Sequence, residues 1–103
     1  MKTNAYTIYD RKGLLYHQPF FAVTDGAATR MVADLVRDNN TTIGRHPTDY
    51  VLFCCGEYDD QLGSLLPKSP LSHVIDCSAL VEQQSGLFPD AAAPVVNLNA
   101  GRK

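Results

Sequence analysis

Over the first quarter of the chain, apolar and polar positions come in short strand-like stretches. Ala5-Tyr6-Thr7-Ile8-Tyr9 is dense in aromatic and β-branched residues, and Asp10-Arg11-Lys12-Gly13 follows as turn chemistry with a glycine available for positive φ. Leu14 to His17 reads as the returning strand of a β-hairpin. Pro19 interrupts the pairing, so Phe20-Phe21-Ala22-Val23 is either an edge continuation beyond a bulge or a separate short strand. The period then changes. Ala27, Ala28, Met31, Val32, Leu35 and Val36 recur at helical spacing behind two N-cap candidates, Thr24 and Asp25. This predicts a helix over about residues 25–38, with Ala28, Met31, Val32 and Leu35 as its buried stripe and Arg30, Asp34, Arg37 and Asp38 opposite. Asn39-Asn40 closes it. Thr41 to Pro47 reads as a polar connection, because Gly44 and Pro47 both oppose a helix.

Tyr50-Val51-Leu52-Phe53-Cys54-Cys55 is an unbroken apolar run, too short for a free-standing helix and bounded by Pro47 and Gly56, and it is the expected central strand. Glu57 to Gly63 resembles a turn, and Ser64-Leu65-Leu66 returns before Pro67. In outline this echoes the first hairpin: Tyr9-Asp10, a turn with Gly13 and Leu14-Leu15, against Tyr58-Asp59, a turn with Gly63 and Leu65-Leu66. The echo is either an internal duplication or what hairpins have in common. His73 to Cys77 suggests a last strand, and Ser78 to Gln84 a short helix or turn. Eight of the nine aromatic residues lie at or before Tyr58, which assigns the core to the N-terminal two-thirds. The expected division is a single α+β domain over residues 1–80 and a mobile or partner-ordered tail over residues 81–103.

The fold class is therefore α+β: an antiparallel sheet of four to five strands built from two β-hairpins, with one helix on one face. One helix covers one face only. In the central strand Tyr50, Leu52 and Cys54 point one way and Val51, Phe53 and Cys55 the other, so both faces carry apolar side chains. The C-terminal segment, a second copy of the chain or a ligand surface is needed to cover the second face, and a homodimer is the expected answer.

Charge changes this picture in one respect. Nine Lys and Arg against eleven Asp and Glu give a net charge of −2, so no global field favours polyanions, and any DNA contact must come from a local patch or from stacking. Three cysteines, Cys54, Cys55 and Cys77, form no paired spacing and fit reduced thiols. No apolar run approaches the roughly 20 residues of a membrane span, and the N-terminus lacks a signal-like region, so the expectation is a cytoplasmic protein without membrane contact.

Enzyme signatures are missing: there is no Lys-Ser/Thr phosphate loop, no Gly-x-Ser-x-Gly and no His-Glu-x-x-His, and the expectation is a non-catalytic protein without cofactor or metal. His17, His46 and His73 stand far apart and share no zinc-like spacing with the cysteines. His46 and Asp49 flank Pro47-Thr48 and admit acid–base chemistry, but a turn held by Asp49 and an extended His46 ahead of proline explain them more simply. Cys54 and Cys55 face opposite ways in a strand, which favours packing over redox work. Arg11 and Lys12 at a hairpin tip, with Arg30, Arg37 and Arg45 along the helix and its following loop, are the candidate nucleic-acid-binding groups. Asp10, Asp34 and Asp38 partly neutralise them, which describes a solvated charged face as well. Tyr6, Tyr9, Tyr16, Phe20 and Phe21 offer stacking surfaces for single-stranded DNA, and core packing also accounts for them.

Tyr6-Thr7-Ile8-Tyr9-Asp10, then Gln18-Pro19-Phe20, then Thr24-Asp25-Gly26-Ala27-Ala28-Thr29-Arg30 resemble the opening of the small nonstructural protein family of gokushovirus-type Microviridae. His46-Pro47-Thr48-Asp49-Tyr50-Val51-Leu52-Phe53, followed by Gly56-Glu57-Tyr58-Asp59 and Gly63, is similar to its second block; the resemblance spans about residues 6–66. It implies a non-virion protein of a single-stranded DNA phage, often described as DNA-binding and compared with the microvirus protein that couples single-strand synthesis to packaging. No catalytic set is implied. The family pattern points to Asp25, Arg30, His46, Pro47, Asp49, Tyr50 and Gly56. Two functions follow as expectations: assistance to viral DNA replication or genome packaging by binding single-stranded DNA, or a protein-interaction module that engages the replication initiator, a host factor or the procapsid.

Overall fold

The computed structural model describes residues 1–86, with side chains through Val81. The strands are β1 (Lys2–Asp10), β2 (Leu15–Tyr16), β3 (Phe20–Ala22), β4 (Tyr50–Asp59) and β5 (Ser64–Asp76), and the helices α1 (Asp25–Val36), α2 (Thr42–Arg45) and α3 (Cys77–Gly86). All pairings are antiparallel, in the order β2-β1-β4-β5, with β3 also on β1. This is the expected α+β class, with β1 sharing the sheet centre with β4. β2 pairs at Tyr9 and Asp10 and β3 at Asn4 to Tyr6, so they form one edge interrupted at Pro19, the continuation reading of Phe20 to Val23.

The core lies on one side. Tyr6, Ile8, Tyr50, Leu52 and Cys54 pack against Ala28, Val32 and Val36 of α1, Ile43 of α2 and Cys77 and Leu80 of α3. Helix α1 begins where expected, with the Thr24 hydroxyl accepting from the Ala27 N–H. Its buried stripe is Ala28, Val32 and Val36, while Met31 stays 47% exposed, a rotation of the stripe expected from the sequence.

Several local readings change. The polar connection after α1 holds α2, because Thr41 caps the Gly44 N–H and Ile43 is an apolar anchor in an otherwise polar run. Gly44 lies against the carbonyl of Asp38, where a Cβ would approach to 2.0 Å, so close packing rather than helix breaking accounts for it. The second hairpin does not stop at Pro67, and no separate strand begins at His73. β5 runs through both prolines as a single edge strand. Pro67 pairs with Gly56 and Ser72 with Cys54, so residues 68–71 face Cys55 alone and bulge outward, taking Pro70 out of the ladder. Cys77 opens α3 instead of ending a strand, and α3 continues to Gly86. The expectation for a tail over residues 81–103 lies, from residue 87 onward, outside the described residues.

The two hairpins share one turn geometry. Asp10 Oδ1 accepts from the Lys12 and Gly13 N–H groups and the Leu14 N–H donates to the Asp10 carbonyl at 2.8 Å. Asp59 Oδ1 likewise accepts from Gln61 and Leu62, and the Gly63 N–H donates to the Asp59 carbonyl at 2.8 Å. The residue with positive φ is Leu14 (57°) in the first turn and Gly63 (64°) in the second, so Gly63 corresponds to Leu14 and not to Gly13. The pairs Tyr9–Val51 and Thr3–Tyr58 exchange about an axis normal to the sheet between β1 and β4, as do Asp10–Tyr50 and Lys2–Asp59. The extra residue in β4 that permits this is Cys55, in a bulge. A hairpin followed by a helix thus occurs twice, in a pseudo-two-fold arrangement.

Candidate nucleic-acid interface

Strand alternation puts Ala5, Thr7 and Tyr9 of β1 and Val51 and Phe53 of β4 on the face away from the helices. Their neighbours across the sheet turn that face into a row of rings. Tyr9 and Tyr16 have centroids 4.6 Å apart, Tyr16 and Phe53 6.2 Å, and Phe53 and His73 5.9 Å. The row crosses β2, β1, β4 and β5. Tyr16 is 49% exposed, Tyr9 and Phe53 are half-buried, and His73 is exposed. Beneath the rings Ala5, Thr7 and Val51 are buried, although α1, α2 and α3 all pack on the opposite face. The second face is therefore shielded by its own aromatic side chains among the described residues.

Toward the second turn the face becomes aliphatic. Phe21 and Tyr58 form another ring pair, 5.8 Å apart. Between the two ring groups, a groove of about 340 Å³ is floored by Ala5 and Gly56 and walled by Phe21, Cys55, Leu65 and Pro67. Gly56 is required there: a Cβ would stand 2.5 Å from the Leu66 carbonyl oxygen of β5.

The candidate cations separate into two groups. Arg11 lies at the ring-bearing end, where its guanidinium donates to the Thr48 carbonyl at 2.8 Å and stands 3.6 Å from Asp76. Lys12, in the same turn, is exposed and its ammonium has no hydrogen-bond or ion-pair partner among the described residues. Arg30 and Arg37 belong to α1 and Arg45 to α2, hence to the helix side of the sheet. Arg37 pairs with Asp34, Arg45 donates to the Asn39 carbonyl at 3.1 Å, and Arg30 is exposed without such a partner among the described residues. The structure brings Arg11 and Lys12 to the ring row and leaves the other three across the molecule from it. Among the aromatic candidates, Tyr9, Tyr16 and Phe21 are on the open face, while Tyr6 and Phe20 are core residues with ring centroids 5.9 Å apart.

Phe53, Tyr58 and His73 join the face without having been singled out as stacking residues. Strand alternation from Leu52 carried the signal for Phe53. No such signal existed for His73, because His73 and Asp76 share a face only through the bulge at Val74. His73 Nε2 lies 2.9 Å from Asp76 Oδ1, and Asp76 in turn meets Arg11, which links the row to the first turn.

The motif residues have folding roles. Asp25 accepts from the Tyr6 hydroxyl at 2.7 Å, and Asn4 Nδ2 donates to that same hydroxyl at 3.1 Å. Burial of the ring, followed by the Asp25 carboxylate, pushes the Tyr6 phenol up to about 12. The ring is wholly buried, but its hydroxyl reaches the rim where Asp25 is exposed. Pro47 opens a 3-10 turn over Pro47–Asp49. The Asp49 N–H donates to the His46 carbonyl at 3.0 Å and the Asp49 carbonyl accepts from the Arg11 N–H at 2.8 Å. No hydrogen bond or ion pair joins the His46 ring to the Asp49 carboxylate among the described residues. Tyr50 is buried and donates to Thr42 Oγ1 at 3.1 Å. All three cysteines are free thiols. Burial pushes Cys77 up to about 11 and also raises Cys55, which keeps both protonated and suits packing.

The fold is thus an α+β sheet with helices on one face and exposed rings on the other. The family model described as Phage ORF5 protein matches residues 3–80, and the chain belongs to that family of phage proteins. No curated protein and no solved structure matches it. Among the described residues no helix is long and apolar enough to cross a membrane.

Proposed function

We propose that this phage protein is a non-catalytic accessory of the gokushovirus type, which binds single-stranded DNA on the open face of its sheet during genome replication or packaging in the host cytoplasm. The observation that carries the reading is the exposed row Tyr9, Tyr16, Phe53 and His73, laid across four strands. Bases stack on aromatic side chains whatever their sequence, and four adjacent strands span about 14 Å, enough for about two or three bases. Lys12 and Arg11 stand at one end of the row as the phosphate contacts. With so few cations, stacking supplies most of the affinity, which fits a net charge of −2.

Fluorescence anisotropy of a labelled single-stranded oligonucleotide across a salt series tests this. The expected log–log salt slope is shallow, about −1.4 for about two phosphate contacts. Tyr16→Ala and Phe53→Ala each weaken binding by roughly 5- to 100-fold. Absence of binding at low salt, or ring variants that bind like the wild type, defeats the proposal. The apolar groove between Phe21 and Leu65 favours a second reading, a module that contacts a viral or host protein, and a nuclease-resistant pull-down from infected cells would support it.

A further inference from the structure

The two hairpin turns lie at opposite ends of the sheet. The first follows Asp10, which pairs with the start of β4, and the second follows Asp59, which pairs with the start of β1. About nine residues of strand separate them, roughly 30 Å. Related by the pseudo-two-fold axis and equal in backbone geometry, they differ in chemistry. The first carries Arg11 and Lys12 beside Asp10; the second carries Asp59 and Asp60, with the Met1 amine 2.7 Å from Asp60 and Lys2 across the ladder from Asp59, its ammonium 4.0 Å from Glu57. Arg11 is occupied by Thr48 and Asp76, which leaves Lys12 as the free cation of the first end.

Each end also shows an aliphatic side chain to solvent. Leu14 is 75% exposed and Leu62 78%. Leu14 holds its place at φ 57°, a conformation unfavourable for a leucine, at the position where the second turn uses Gly63. Folding gains nothing from this choice, since the side chain is in solvent and glycine would relieve the backbone. A strained, exposed apolar residue at a turn tip motivates the hypothesis of a contact outside its own chain.

We propose that the first turn of one copy docks on the second turn of another, Lys12 facing the Asp59-Asp60 carboxylates and Leu14 packing on Leu62. Because the two surfaces differ and sit at opposite ends, the contact is head-to-tail and builds an open chain of copies instead of a closed pair. The contact uses Lys12, which the DNA reading also uses, and self-association is therefore tested without nucleic acid.

Sedimentation velocity of the full chain over a concentration series is the experiment. The weight-average mass is expected to rise with concentration past two copies. Leu14→Gly is expected to raise Tm by about 4 °C through relief of the turn, while weakening self-association at least tenfold, so loss of association cannot be blamed on unfolding. Lys12→Glu and Asp60→Lys are each expected to lose association alone and recover it when mixed. A wild type that stays monomeric, a mass that stops at two copies, a Leu14→Gly protein that associates like the wild type, or charge variants that fail to recover on mixing would each overturn the proposal.

Discussion

Leu52 and Phe53 are consecutive in β4 and belong to different molecules in a chemical sense. Leu52 is fully buried among Tyr6, Ile8 and the helix stripe, whereas Phe53 is half-buried in a row of rings that no described helix covers. The helix-side face is filled by buried aliphatic side chains and the rings of Tyr6, Tyr50 and Phe20, with the two tyrosine hydroxyls hydrogen-bonded, and its residues hold the fold together. The open face is covered by its own rings, which bury Ala5, Thr7 and Val51 and still keep flat, polarisable surface in contact with water. Up to the bulge at Cys55 the strand alternates, even positions facing the helices and odd positions the open side; past it Gly56 and Tyr58 lie on the open side.

The largest effect expected from this contrast comes from truncating its two members. Leu52→Ala removes fully buried volume and should cost about 3–4 kcal/mol, a large share of the 5–15 kcal/mol typical of a domain, with Tm lower by roughly 15 °C. Phe53→Ala should cost less, about 2 kcal/mol, since part of the ring is already in water, while DNA affinity falls. Thermal denaturation with anisotropy on the same two proteins checks both. If Phe53→Ala unfolds the chain as Leu52→Ala does, the faces are not divided as proposed.

The parity of β4 was legible as far as Cys54, because an unbroken apolar run of strand formers leaves little else to do. So were α1, with its Thr24 cap and apolar spacing, and both hairpins. What the chain conceals is register. The extra residue at Cys55, the outward bulge at 68–71 and the shift at Val74 are decided by how three strands settle against each other, and no local signal marks them. Those shifts unite β5 into one strand and bring His73 beside Phe53. The cations were misleading for a related reason: Arg30, Arg37 and Arg45 are as basic as Arg11, but α1 and α2 place them behind the sheet.

Gly56 tests the open face from the other direction, by adding volume. A methyl group there meets the Leu66 carbonyl at 2.5 Å, backbone against backbone, which a side-chain rotation does not relieve. Gly56→Ala should therefore destabilise by about 1–3 kcal/mol, and the β4–β5 amides should exchange faster while those of β1 and α1 change less. Hydrogen exchange by residue checks this. Uniform loss of protection would mean that β5 is integral to the core and not an edge laid on it.

The smallest effect separates two tyrosines of β1 that face opposite ways. Tyr6 donates to Asp25 from the buried side, so Tyr6→Phe should cost about 1.5 kcal/mol, whereas Tyr9→Phe, on the open face, should cost close to nothing. The alkaline limb of stability sharpens the point. The folded state raises the Tyr6 phenol from 10.0 to about 12, so it favours the protonated form. Its contribution is complete below pH 10.0 and is lost as pH rises through about 12. Cys77, raised from 9.0 to about 11, adds a similar loss beginning at lower pH, and it does so in wild type and variant alike. The difference in unfolding free energy between wild type and Tyr6→Phe isolates the phenol, and denaturant titrations from pH 9 to pH 12 should show that difference shrinking only above about pH 10. A gap that stays constant over the range would place the Tyr6 hydroxyl in water and detach Asp25 from the strand it anchors.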